Sequence, residues 1–142
     1  MDSMQKNLFT KRWQKVKKPE PSELQIQIAL IQRLGYMALP NAVYFHVPNG
    51  ELKDPRVAAK HKAMGELPGV ADLIFLYNRI GEHPPRLRVL CLELKAKGRS
   101  PSNEQRYFGG RVLRLGAEFE VADTIDRAVE ILEKQGIIPP RN

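Results

Sequence analysis

The stretch of this 142-residue chain that most constrains its fold is RLRVLCLELKAKG, Arg86 to Gly98, because it places two charged groups where a buried strand should be apolar. Side chains two apart on a strand share a face. Val89 to Leu92 and Leu94 form a run too apolar for a strand facing solvent. Yet Glu93 and Lys95 end it side by side, on the face that also takes Val89 and Cys91. A carboxylate and an ammonium at the carboxyl end of a central strand lie where open α/β sheets place their chemistry. A strand that runs out into solvent on a surface ion pair accounts for the same residues, so the rest of the chain has to decide between the two readings.

The length fits one domain with a core that needs no disulfide or metal staple. Cys91 is the only cysteine, which rules out an internal disulfide and fits a reducing compartment. It reads as a small core hydrophobe. No apolar run reaches the length of a membrane span and the N-terminus lacks a signal-peptide apolar block, so a soluble, intracellular, cytoplasmic protein is expected. Twenty-three Lys and Arg against sixteen Asp and Glu give a formal charge of +7. That balance favours a polyanionic partner, most commonly nucleic acid.

Residues 1–21 read as a basic N-terminal arm, with Lys6, Lys11, Arg12, Lys15, Lys17 and Lys18 interleaved with Leu8, Phe9, Trp13 and Val16. It would be a solvated tail, or a segment that docks on a partner or a phosphate backbone. Ser22 and Gln25 form a capping box, and Leu24, Ile28, Ile31 and Leu34 read as the apolar stripe of a helix ending at Gly35. Glu23 sits in its first turn, where the helix dipole alone would favour a carboxylate.

Val43 to Val47 read as a short strand broken by Pro48-Asn49-Gly50, which leaves His46 and Asn49 near a strand end. Asp54 and Pro55 open a basic helix over Arg56 to Met64, closed by Gly65. Its Arg56, Lys60, His61 and Lys62 fit a solvated face and a phosphate-contacting helix equally well. Ala71 to Tyr77 is a strand with one acid, Asp72, at its start, antiparallel to the strand that follows Pro85. A turn cap after Gly69 would explain Asp72 as well.

Ser100 and Pro101 announce a helix from about Ser102 to Leu115, weakened by Gly109 and Gly110. Ala117 to Val121 is a strand, and Asp123 or Thr124 caps a last helix with Ile125, Ala128, Val129 and Leu132 at core spacing. Gly136 stops it, and residues 137–142 read as a C-terminal tail. This order predicts a mixed central β-sheet covered by helices, in the α/β or α+β class. The three histidines are scattered and do not suggest a metal site.

Asp72, twenty intervening residues, then Glu93-Leu94-Lys95 resembles the PD-(D/E)XK nuclease motif. With Glu23, the HVPNG segment from His46, LPGVADL around Asp72, ELKAKGRSPSNEQ from Glu93 to Gln105 and Leu115-Gly116, the chain resembles the VRR-NUC family, the virus-type replication-repair nuclease domain, over roughly residues 22–132. Ala71 stands where the superfamily name has proline, a turn-shaping residue that ligates nothing.

The resemblance implies a restriction-endonuclease-like fold over residues 22–136 and a Mg²⁺- or Mn²⁺-dependent endonuclease. It implies Asp72, Glu93, the Leu94 carbonyl and Glu23 as metal ligands, Lys95 as the group that positions or deprotonates water, and Gln105 as support for Lys95 or the water. Hard divalent cations prefer such oxygen donors. It further implies branched DNA such as Holliday junctions as substrate, a homodimer, and a bacterial or phage-infected cell as the setting. A catalytically inactive or accessory nucleic-acid-binding module on the same scaffold is the alternative, and intact acids and lysine argue against it.

Overall fold

The computed structural model describes residues 17–48 and 54–141; the readings made above for residues 1–16 and for Asn49 lie outside them. Four helices and four strands are found among the described residues. In chain order they are α1 (Glu23–Met37), β1 (Ala42–His46), α2 (Pro55–Ala63), β2 (Leu73–Tyr77), β3 (Arg88–Leu94), α3 (Asn103–Arg114), β4 (Glu118–Ala122) and α4 (Ile125–Gln135). The sheet order is β1-β2-β3-β4. The first two pairings are antiparallel and the third is parallel, with α3 as its crossover. This is the mixed α+β sheet expected from the element order.

Each helix start has a local cause. Ser22 and Ser102 form reciprocal capping boxes with Gln25 and Gln105, and Asp54 caps α2 ahead of Pro55. The second box lies two residues beyond the Ser100-Pro101 pair read as the start signal. Thr124, rather than Asp123, caps α4, and Gly136 ends it in the left-handed conformation.

The main core lies between one face of the sheet and the helices α1 and α4. Leu73, Phe75, Tyr77, Leu90, Leu92 and Leu94 meet Ile26, Leu30 and Leu34 of α1 and Ala128, Val129 and Leu132 of α4. Two expectations need correction. The inward stripe of α1 is Ile26-Leu30-Leu34, while Leu24 and Ile28 are exposed. The helix carries apolar residues at two phases, and packing against β3 chose the second. It also runs past Gly35 to Met37. At the other terminus Ile137 and Ile138, assigned above to a tail, are fully buried, and the Ile137 carbonyl accepts the Leu39 N–H.

On the opposite face α3 covers β3 and β4. It comes close because Gly109 has no side chain: a Cβ there would lie 2.6 Å from the Phe119 ring. The glycine that weakens the helix by propensity is what seats it.

Candidate active site

The antiparallel register pairs Leu73 with Leu92. One step further it brings Asp72 opposite Glu93, on the face that α3 covers, with Cβ atoms about 4.5–5.5 Å apart for such a cross-strand pair. Residues 21 apart in sequence thus become neighbours at the end of the sheet.

Asp72 is held by the backbone around it. Its Oδ2 accepts the Leu94 N–H at 2.8 Å, and its carbonyl oxygen accepts from the Val47 N–H at 3.0 Å and from His46 Nδ1 at 2.8 Å. A strand residue sends its N–H and C=O to the same edge. The Leu94 carbonyl therefore projects towards Asp72 as well. Burial raises the Asp72 pKa, and the Leu94 N–H opposes the shift.

Glu93 is a charged group with 1% of its surface exposed. Its Oε1 takes the Lys95 ammonium at 3.0 Å and the Gln105 amide at 2.5 Å, while Oε2 is buried with no hydrogen-bond partner. Burial and then the Asp72 charge push its pKa up to about 7, against the pull of Lys95. A buried carboxylate oxygen left without a donor costs free energy, which a cation or donor from outside the chain would offset.

Lys95 leaves β3 on the Glu93 side and is only 12% exposed. Its ammonium lies between Glu93 and Glu23, the latter at 3.8 Å on the first turn of α1. Gln105 is placed by its capping box: Oε1 accepts the Ser102 N–H while Nε2 reaches Glu93. It contacts Glu93, whereas the resemblance had it supporting Lys95 or a water. The turn before Asp72 is locked to the same helix end. Gly69 has φ +79° and lies against the Glu104 and Gln105 backbone so closely that no Cβ could fit.

The five candidates from sequence therefore gather at one end of the sheet, Glu23 by way of Lys95. His46 is the residue the sequence reading left without a role. Its signal was a histidine at a strand end, two residues ahead of the Pro48-Asn49-Gly50 break.

Among the described residues no group of three or more His, Cys, Asp or Glu side chains closes on one point as a metal site. Two carboxylates and a backbone carbonyl nevertheless suit Mg²⁺, which is held through one or two carboxylates and keeps several waters or substrate oxygens. The unpartnered Glu93 Oε2 is the observation that fits this chain to such an ion.

The chain is of the α+β class, a mixed sheet with an acid pair and a lysine at one end. Within that class, a solved structure described as a "VRR_NUC domain protein" shares the fold with a TM-score of 0.66 over 82% of this chain and 89% of that one, at 21% sequence identity. No protein-family model matches the chain, and no match was found among the curated proteins. No helix among the described residues is long and apolar enough to cross a membrane.

Proposed function

We propose that this chain is a VRR-NUC-type, metal-dependent DNA endonuclease that hydrolyses phosphodiester bonds, with branched DNA such as a Holliday junction as substrate. The observation that carries the reading is Glu93: a buried carboxylate with one oxygen tied to Lys95 and Gln105 and the other unpartnered, opposite a second acid. The net charge of +7 suits a polyanionic substrate.

Asp72, Glu93 and the Leu94 carbonyl would hold Mg²⁺ or Mn²⁺, with Glu23 reaching it through water. Bound there, the ion would supply Lewis-acid neutralisation of phosphate charge and acidification of water. The remaining work falls to side chains already in place. Lys95 can orient the attacking water and offset charge developing on the phosphate. Glu23 holds the ammonium from the outer side, and Gln105 fixes the Glu93 carboxylate by donating to the oxygen that also faces Lys95. One chain carries one such set, and resolving a junction takes two cuts, so a homodimer follows.

The test is cleavage of a panel of junction, flap, splayed and linear DNA with Mg²⁺ or Mn²⁺, using Asp72→Asn as the blank. Cleavage that needs the ion and disappears in the blank supports the proposal. Binding without cleavage of any member would make the chain a nucleic-acid-binding module, and cutting at full rate by the blank would remove Asp72 from the chemistry.

A further inference from the structure

Helix α2 has no buried residue. Its one inward position is Ala58, half-buried, and Arg56 and Lys60 lie one turn apart on the other side, flanked by Ala59 and Ala63. The helix dipole explains Lys60, His61 and Lys62 in the last turn. It does not explain Arg56, a cation in the first turn, where the dipole opposes it by roughly 0.3–1 kcal/mol. Among the described residues none of Arg56, Lys60 and Lys62 has an ion-pair partner; His61 pairs with Glu66 at 2.8 Å.

The place of this helix in the topology matters as much as its charge. β1 ends at His46 and β2 begins at Leu73, so the whole connection leaves and re-enters the sheet at the end that carries Asp72. Lys97 and Arg99 follow the end of β3 at the same end, and both are exposed. Basic side chains thus lie on both connections at that end, on α2 ahead of β2 and on the segment after β3, where Lys97 also meets Glu20 at 3.4 Å.

Resting on the nuclease reading, we propose that the outer stripe of α2, Arg56 and Lys60 over Ala59 and Ala63, is a docking surface for a nucleic-acid phosphate backbone, separate from the residues that cut. The small alanines let a backbone come close, and two long cationic side chains about 5–6 Å apart at Cβ can each reach a phosphate. Contacts of this kind fix the register of a duplex arm and carry no sequence preference.

The test is binding, measured by fluorescence anisotropy with EDTA in the Asp72→Asn chain, on a labelled duplex and a labelled junction over a salt series. Arg56→Ala with Lys60→Ala should lower the slope of log K against log salt by about 2, at about 0.9 per phosphate contact, and weaken duplexes of unrelated sequence alike. Arg33→Ala with Lys134→Ala removes the same charge from exposed positions on α1 and α4 and should leave the slope within experimental error. Circular dichroism checks that α2 persists. An unchanged slope in the α2 variant, or an equal fall in the control pair, overturns this surface while the nuclease reading stands. A parent chain that binds neither DNA overturns both.

Discussion

The Leu94 N–H donates to Asp72 Oδ2 at 2.8 Å, so a carboxylate side chain continues the β2–β3 ladder one step past its last strand pair, Leu73 with Leu92. The acid is thus part of the fold as well as of the site. Leaving a buried amide without an acceptor costs about 1–3 kcal/mol. Asp72→Asn keeps an acceptor and removes only a charge that burial already disfavours. Urea unfolding should place Asp72→Asn within about 1 kcal/mol of the parent and Asp72→Ala about 1–3 kcal/mol below it, with cleavage lost in both. Equal stabilities for the two variants would show that the hydrogen bond contributes nothing.

Gly69 joins the turn before Asp72 to the N-terminus of α3, with φ +79° and the Glu104 backbone where a Cβ would sit. Gly69→Ala meets both obstacles, a left-handed conformation and a collision with backbone that cannot rotate away. It should lose at least about 2 kcal/mol and, by shifting Asp72 against Gln105, most of the activity. Gly35→Ala makes the matching control: it lies inside α1 with open space around it and should gain about 0.5–1 kcal/mol. Chemical denaturation of both variants reads the opposite signs directly.

Much of this site could be read from the chain because its residues sit on short, regular spacings. Alternation along β3 put Glu93 and Lys95 on one face, and the Asp72 spacing put a second acid on the adjacent strand. What could not be read depends on packing. Leu24-Ile28 and Ile26-Leu30 are equally good helical stripes, and only contact with Leu90 to Leu94 selects between them. Ile137 and Ile138 follow a helix-stopping glycine and look like a tail, yet both join the main core, and the Ile137 carbonyl accepts from Leu39, about a hundred residues earlier. The partner of Gln105 depended in the same way on where α3 lands, which Gly109 and Phe119 determine.

The proposed homodimer has a candidate surface. Tyr107 and Arg111 on α3 and Leu115 at its C-cap are spaced four apart, Arg111 stacks over the Tyr107 ring at 5.8 Å, and Tyr107 and Leu115 are 69% and 86% exposed. A tyrosine and an arginine are residue types that dominate association energetics, and the exposed leucine adds apolar surface beside them. Light scattering at micromolar concentration should give twice the chain mass for the parent and a monomer for Tyr107→Glu with Leu115→Glu. A monomeric parent would end the dimer proposal, and a dimeric double variant would move the contact elsewhere.

Glu93 should make both stability and metal binding depend on pH, in opposite senses. Its pKa rises from the ordinary 4.5 to about 7 on folding, so the folded chain binds the proton more tightly than the unfolded one. The stabilising contribution is complete below pH 4.5 and is lost as pH rises towards 7, about 3 kcal/mol in all without metal. Asp72, raised in the same direction, adds to the loss. Glu93→Gln should flatten this dependence in urea titrations run with EDTA. A divalent cation favours the ionised carboxylate and so displaces that proton. Titration calorimetry in buffers of different ionisation enthalpy should find close to one proton released per Mn²⁺ at pH 6 and almost none above pH 8, with affinity rising between. Release that does not change over this range, or that survives in Glu93→Gln, would show that the ion binds without this carboxylate.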